Sequence, residues 1–98
     1  MKLSIIIPVY NEEKTIKELV DVVKRVEAGV EKEIIIVDDG SSDGTNEILK
    51  KIDGVKVFFL PANKGKGFAI REGIKHVTGD IVIIQDADLE YDPNDYKK

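Results

Sequence analysis

Residues 33–45 read EIIIVDDGSSDGT. Ile34 to Val37 are four β-branched residues in a row with no polar alternation. Such a run suits a strand covered on both faces, as the strands of a parallel sheet are. It breaks into Asp38, Asp39 and Gly40, then into a Ser, Asp and Gly cluster that turns the chain. Thr45 or Asp43 can cap a short helix carrying Ile48, Leu49 and Ile52.

The same unit recurs on either side. Upstream, Leu3 to Val9 is a second apolar, Ile-rich run. It is followed by Ile16, Leu19, Val20, Val23 and Val26 at helical spacing, with charges between them. Asn11 is the expected N-cap, Glu12 and Glu13 suit the first turn, and Gly29 suits the stop. Downstream, Val55 to Leu60 reads as a strand and Pro61 to Asn63 as a turn. A Gly-rich helix start, KGKG, leads into Phe68, Ile70, Ile74 and Val77, stopped by Gly79. Ile81 to Ile84 is the fourth strand, and Asp92-Pro93 opens a further helix. The order β-α-β-α-β-α-β implies an α/β fold, a three-layer parallel sheet with right-handed crossovers.

Composition narrows the function. The 98 residues suffice for one domain, and 42% hydrophobic residues allow a real core. Net charge is −4, and no basic stripe with interleaved aromatics is present, which disfavours nucleic acid as a partner. With no cysteine there is no disulfide framework, thiolate metal site or Cys nucleophile, in keeping with a reducing, cytoplasmic setting. No signal peptide or membrane-spanning run is legible.

In open parallel sheets, ligands sit beyond the carboxyl ends of the strands. Those ends carry Pro8, Tyr10, Asn11 and Glu12 after the first strand, and Asp38 and Asp39 after the second. Asn63 and Lys64 follow the third, and Asp86 and Asp88 the fourth. Clustered carboxylates repel unless a cation or donors compensate, and Mg²⁺ or Mn²⁺ with oxygen ligands is the simplest compensation. The bland alternative is that acidic residues after strands are helix caps and turn formers. Asp43 fits that description. The first turn, PVYNEE, is not the G-x-G-x-x-G of dinucleotide binders, and NKGKG lacks the G-K-[ST] ending of a P-loop. Lys64 and Lys66 read as solvated residues at a helix start more readily than as phosphate contacts. His76, Arg71 and Glu72 read as surface, and Tyr91 and Tyr96 as core of a larger parent.

Four stretches in register, SIIIPVYNEEKTI, EIIIVDDGSSDGT, NKGKGFAIREG and GDIVIIQDADLEYDP, resemble family 2 glycosyltransferases of the GT-A fold, closest to the dolichol- or polyprenol-phosphate mannose and glucose synthase branch. The resemblance runs over essentially the whole chain. It implies that residues 1–98 are the nucleotide-sugar-binding, Rossmann-like N-terminal half of a longer domain. It implies that Pro8, Tyr10 and Glu12 line a base and ribose pocket, and that Val37 and Asp39 contact the base. Asp86, Ala87 and Asp88 would form the D-x-D element, with Asp88 a metal ligand and Glu90, where the branch often has Gln, a second. The implied donor is a UDP- or GDP-sugar. The implied acceptor is polyprenol phosphate at a membrane, on whose cytoplasmic face the parent would associate. Transfer would invert the sugar carbon, and this chain alone would lack the acceptor half.

Two other readings compete. A haloacid dehalogenase-type phosphatase would use Asp86 as nucleophile, but that family carries its D-x-D on the first strand. An isolated or designed α/β module without catalysis would self-associate through an exposed sheet edge into a homo-oligomer.

Overall fold

The computed structural model of the chain describes residues 1–25 and 31–87. Its elements are β1 (Lys2–Val9), α1 (Ile16–Arg25), β2 (Glu31–Asp38), α2 (Thr45–Lys50), β3 (Lys56–Phe59), α3 (Lys66–Ile74) and β4 (Ile81–Ile84). The strands form one sheet in the order β3-β2-β1-β4, every neighbouring pair parallel. The expected β-α-β-α-β-α-β alternation is therefore present. Val26, Gly29 and the Asp92-Pro93 helix start lie outside the described residues.

The unbroken Ile runs of β1 and β2 occupy the centre because side chains alternate faces and both faces are covered. Ile5, Ile7, Val9, Ile34 and Ile36 pack with Ile16, Leu19, Val20 and Val23 of α1 and Leu49 of α2. Ile6, Ile35 and Val37 point the other way, onto Ala69 of α3, with Phe58, Leu60 and Val77 around them. The α3 layer sits close. A Cβ on Gly73 would come within 2.8 Å of Ile6 Cγ2 and 3.3 Å of Val37 Cγ2. His76 stacks on Phe58, with ring centroids 3.8 Å apart.

A polar clamp locks the sheet at its amino-terminal edge. The buried Glu33 carboxylate accepts hydrogen bonds from Ser4 Oγ (2.5 Å), Thr78 N (2.7 Å), Thr78 Oγ1 (3.0 Å) and Lys56 Nζ (2.8 Å). Gly79 N donates to Ser4 Oγ at 2.9 Å. Four segments of chain thus meet at one carboxylate. Burial alone would raise the Glu33 pKa. The Lys56 ammonium and the Ser4 and Thr78 donors outweigh it and hold the group far below the usual carboxylate range.

Two local expectations are corrected. Asn11 does not cap α1. It adopts a left-handed backbone (φ 50°), and its Oδ1 accepts Ser42 N at 2.8 Å. The Glu12 carbonyl takes the first helical bond instead, from Ile16 N at 2.9 Å. Neither Thr45 nor Asp43 occupies the N-cap of α2, which is Gly44. Thr45 Oγ1 accepts Glu12 N from the neighbouring loop at 2.9 Å, while Asp43 Oδ1 accepts Thr45 N at 2.9 Å. Unlike those of β1 and β2, the apolar run of β4 is not buried on both faces. Ile81 to Ile84 are each 42–44% exposed. Among the described residues no helix is long and apolar enough to cross a membrane.

Candidate functional site

The chain runs β1, β2, β3 toward one side, then crosses to the far side of β1 for β4. The order reverses between β1 and β4, and the loops beyond their carboxyl ends diverge there, leaving a crevice. A cavity of about 300 Å³ occupies it, lined by Pro8, Val9, Tyr10, Glu12, Asp39, Asn63, Gly65, Lys66, Asp86 and Ala87. Six of the residues singled out from sequence therefore share one cavity: Pro8, Tyr10, Glu12, Asp39, Asp86 and Ala87.

Two loops are clasped to hold the rim. Asn11 N donates to Ser41 Oγ and Gly44 N to Glu13 Oε2, each at 2.9 Å. With the Asn11–Ser42 and Glu12–Thr45 bonds, they fasten the loop after β1 to the loop after β2. Gly40 (φ 71°) passes so close to the loop after β3 that a Cβ would lie 2.5 Å from Ala62 C and Asn63 N. Only glycine fits there, on both backbone and steric grounds.

Asp38 and Asp39 have opposite tasks. Asp39 points to the cavity side. Its Oδ1 accepts Lys64 N (2.8 Å), and its Oδ2 accepts Gly65 N (2.9 Å) and Asn63 Nδ2 (3.1 Å). A carboxylate offers about four lone-pair sites, so among the described residues three are used in shaping the loop after β3 and one, on Oδ1, is left for a ligand N–H. Asp38 is 1% exposed. Ser41 Oγ donates to its Oδ1, and its buried Oδ2 has no hydrogen-bond partner among the described residues. Burial pushes its pKa up; Ser41 opposes this, and the charges of Asp43 and Asp39 add to it.

On the opposite wall, Ala87 is buried in the α1-side core, which anchors Asp86 beside it at the cavity mouth. Asp86 Oδ1 is ion-paired with Lys66 Nζ. Asp88 and Glu90 lie outside the described residues. Among the described residues no three His, Cys, Asp or Glu side chains gather closely enough to hold a metal ion.

Val37 must be corrected. Its side chain is fully buried beneath α3 and does not line the cavity, because alternation along β2 turns it into the core. Lys66 is the main residue that sequence reasoning undervalued. Its place at a helix start was visible, but not that the start opens on Asp86. Val9 and Gly65 were also missed as wall residues.

Comparison with known proteins bears on the family and the fold. The family model described as glycosyl transferase family 2 matches residues 4–98. A dolichol-phosphate mannosyltransferase of Pyrococcus furiosus is 38% identical over 96 residues, covering 95% of this chain and 27% of that protein. The structure of S. aureus TarS 1-349 in complex with UDP-GlcNAc superposes with a TM-score of 0.77 at 36% identity, over 90% of this chain and 27% of the other. The mannosyltransferase PcManGT of Pyrobaculum calidifontis, in complex with GDP-Man and Mn²⁺, superposes at 0.74 with 29% identity, over 88% and 27%. The chain thus spans about a quarter of the length of these relatives. It belongs to glycosyl transferase family 2, with the GT-A fold.

Proposed function

We propose that residues 1–98 are the donor-binding portion of a glycosyltransferase that takes a UDP- or GDP-sugar and transfers the sugar to polyprenol phosphate. The observation that carries this reading is the convergence of Pro8, Tyr10, Glu12, Asp39 and Asp86 on one crevice at the β1/β4 switch point. A cavity wall of Pro8, Val9 and Tyr10 suits a flat base, and the remaining Asp39 lone pair suits a ring N–H. The relatives bound to UDP-GlcNAc and to GDP-Man support a nucleotide-sugar, and the dolichol-phosphate relative supports the acceptor class.

The donors at the rim are carboxylate oxygens, which suit a hard divalent cation such as Mg²⁺ or Mn²⁺. Asp88 and Glu90, which follow Asp86 in the sequence, are the residues proposed to hold it. When bound, the ion would neutralise the diphosphate. Transfer forms a bond from the acceptor phosphate oxygen to the sugar carbon. The carbon–oxygen bond to the diphosphate breaks on the opposite face, its electron pair leaving with the diphosphate, so the centre inverts. An acceptor that is already anionic needs little help from a general base. The setting proposed is cytoplasmic, at a membrane face that presents the acceptor.

Calorimetric titration of UDP and GDP, with and without Mn²⁺, tests the donor site. Binding is expected to strengthen with metal and to lose that gain in Asp88→Ala. Metal-independent binding, or an unaltered Asp88→Ala variant, removes the metal from the reading.

One observation favours a second reading for the chain by itself. The exposed apolar side chains of β4 are suited to pairing with another copy.

A further inference from the structure

Uracil and guanine differ in the edge they turn to an acceptor. Uracil carries one ring N–H between two carbonyls. Guanine carries a ring N–H with an amino group beside it, two parallel N–H donors in all. A carboxylate meets such a pair by giving one lone pair from each oxygen. Asp39 is arranged differently. Among the described residues its Oδ2 accepts both Gly65 N (2.9 Å) and Asn63 Nδ2 (3.1 Å), while Oδ1 accepts Lys64 N (2.8 Å). One oxygen is filled and the other is half free. The filling donors are held by the backbone. Gly65 takes φ 98°, a conformation that L side chains rarely adopt. Asn63 Nδ2 also donates to the Asp39 carbonyl at 3.3 Å, and Gly40 is packed against Asn63 N. Asn63 and Asp39 line the same cavity. A guanine presented to Asp39 would pair its ring N–H and turn its amino group toward the filled oxygen. A donor left unpaired on leaving water costs more than an ordinary hydrogen bond contributes.

We infer that this chain takes a uridine rather than a guanosine nucleotide, and that Asn63 sets the choice by filling the Asp39 oxygen that the guanine amino group would need. This rests on the donor-site reading proposed above. Relatives hold either nucleotide, so family membership leaves the base open. An asparagine that merely shapes the loop after β3 would influence every base alike. A residue that occupies an acceptor site influences only the base that needs a second acceptor.

The experiment titrates wild type and Asn63→Ala with UDP, GDP and inosine diphosphate by calorimetry in Mn²⁺. Inosine diphosphate has the size and ring N–H of GDP without the amino group, so it separates donor count from bulk. Wild type is expected to bind UDP about tenfold more tightly than GDP, with inosine diphosphate tighter than GDP. Asn63→Ala is expected to strengthen GDP relative to both other ligands, because the freed lone pair accepts the amino group. Circular dichroism melts verify that the variant folds; if it does not, the wild-type order of the three ligands still decides. GDP bound as tightly as UDP, inosine diphosphate no tighter than GDP, or a GDP-to-UDP preference unmoved by Asn63→Ala overturns the inference while leaving the donor site intact. Wild-type protein that binds none of the three overturns both.

Discussion

At the scale of single residues, the adjacent Asp38 and Asp39 show how one strand end serves two ends. Alternation along β2 sends Asp38 toward the α1 side and Asp39 to the cavity, so identical side chains meet opposite environments. Asp39 accepts two N–H donors on one oxygen and one on the other. Among the described residues, Asp38 has one buried oxygen without a partner. A buried carboxyl of that kind favours its neutral form. Because its folded pKa lies above the unfolded value, the native state binds more protons in that window. Stability contributed by Asp38 is therefore present at low pH and lost as pH rises through the folded pKa. The slope cannot exceed about 1.4 kcal/mol per pH unit. Urea denaturation of wild type and Asp38→Asn from pH 4 upward should show this decline in the wild type and its absence in the variant. Parallel pH profiles would exclude the role. None of this was legible in the pair DD. Sequence could place both residues beyond a strand, but which one meets donors depends on the loops after β1 and β3.

At the scale of elements, the order of strands and helices was legible because β1 and β2 are buried on both faces, which leaves continuous Ile and Val runs. What was not legible came from contacts between distant elements. Asn11 has the composition of a cap, yet the clasp with Ser41 and Ser42 holds it in a left-handed turn. Glu33 looks like a polar strand edge, but its partners Ser4, Lys56 and Thr78 come from three other segments. Glu33→Gln should cost about 2 kcal/mol, since it weakens charge-assisted bonds and turns an amide N–H₂ toward other donors. The lysines are partly solvated, so the ion pairs contribute only part of this. The folded Glu33 pKa lies far below the unfolded value, so its contribution is full above pH 4.5 and falls away on acidification. That trend opposes the one from Asp38. Thermal melts from pH 7 down to pH 3 should show wild type losing more stability than Glu33→Gln. A variant as stable as wild type at pH 7 would argue against the clamp.

At the scale of the whole molecule, the sheet is asymmetric. β2 and β1 are flanked on both sides, β3 closes one edge as a short strand, and β4 closes the other. Among the described residues β4 pairs only with β1, so one row of its backbone N–H and C=O groups has no strand partner there. Four adjacent apolar side chains, each 42–44% exposed, border that row. An apolar, uncharged edge of this kind is a template for another strand, and proteins ordinarily blunt such edges with lysine or proline. The relatives are three to four times longer, which leaves ample chain in them to cover this edge. A second copy of residues 1–98 offers the same apolar strand for pairing. Ile83, which pairs in register with Ile5, is 44% exposed, so a charge there opposes pairing without entering the core. Sedimentation velocity across a hundredfold concentration range should show wild-type mass rising with concentration. Ile83→Lys should remain closer to the monomer mass, with its circular dichroism unchanged. A wild-type protein that stays monomeric at every concentration would show that the edge does not drive association.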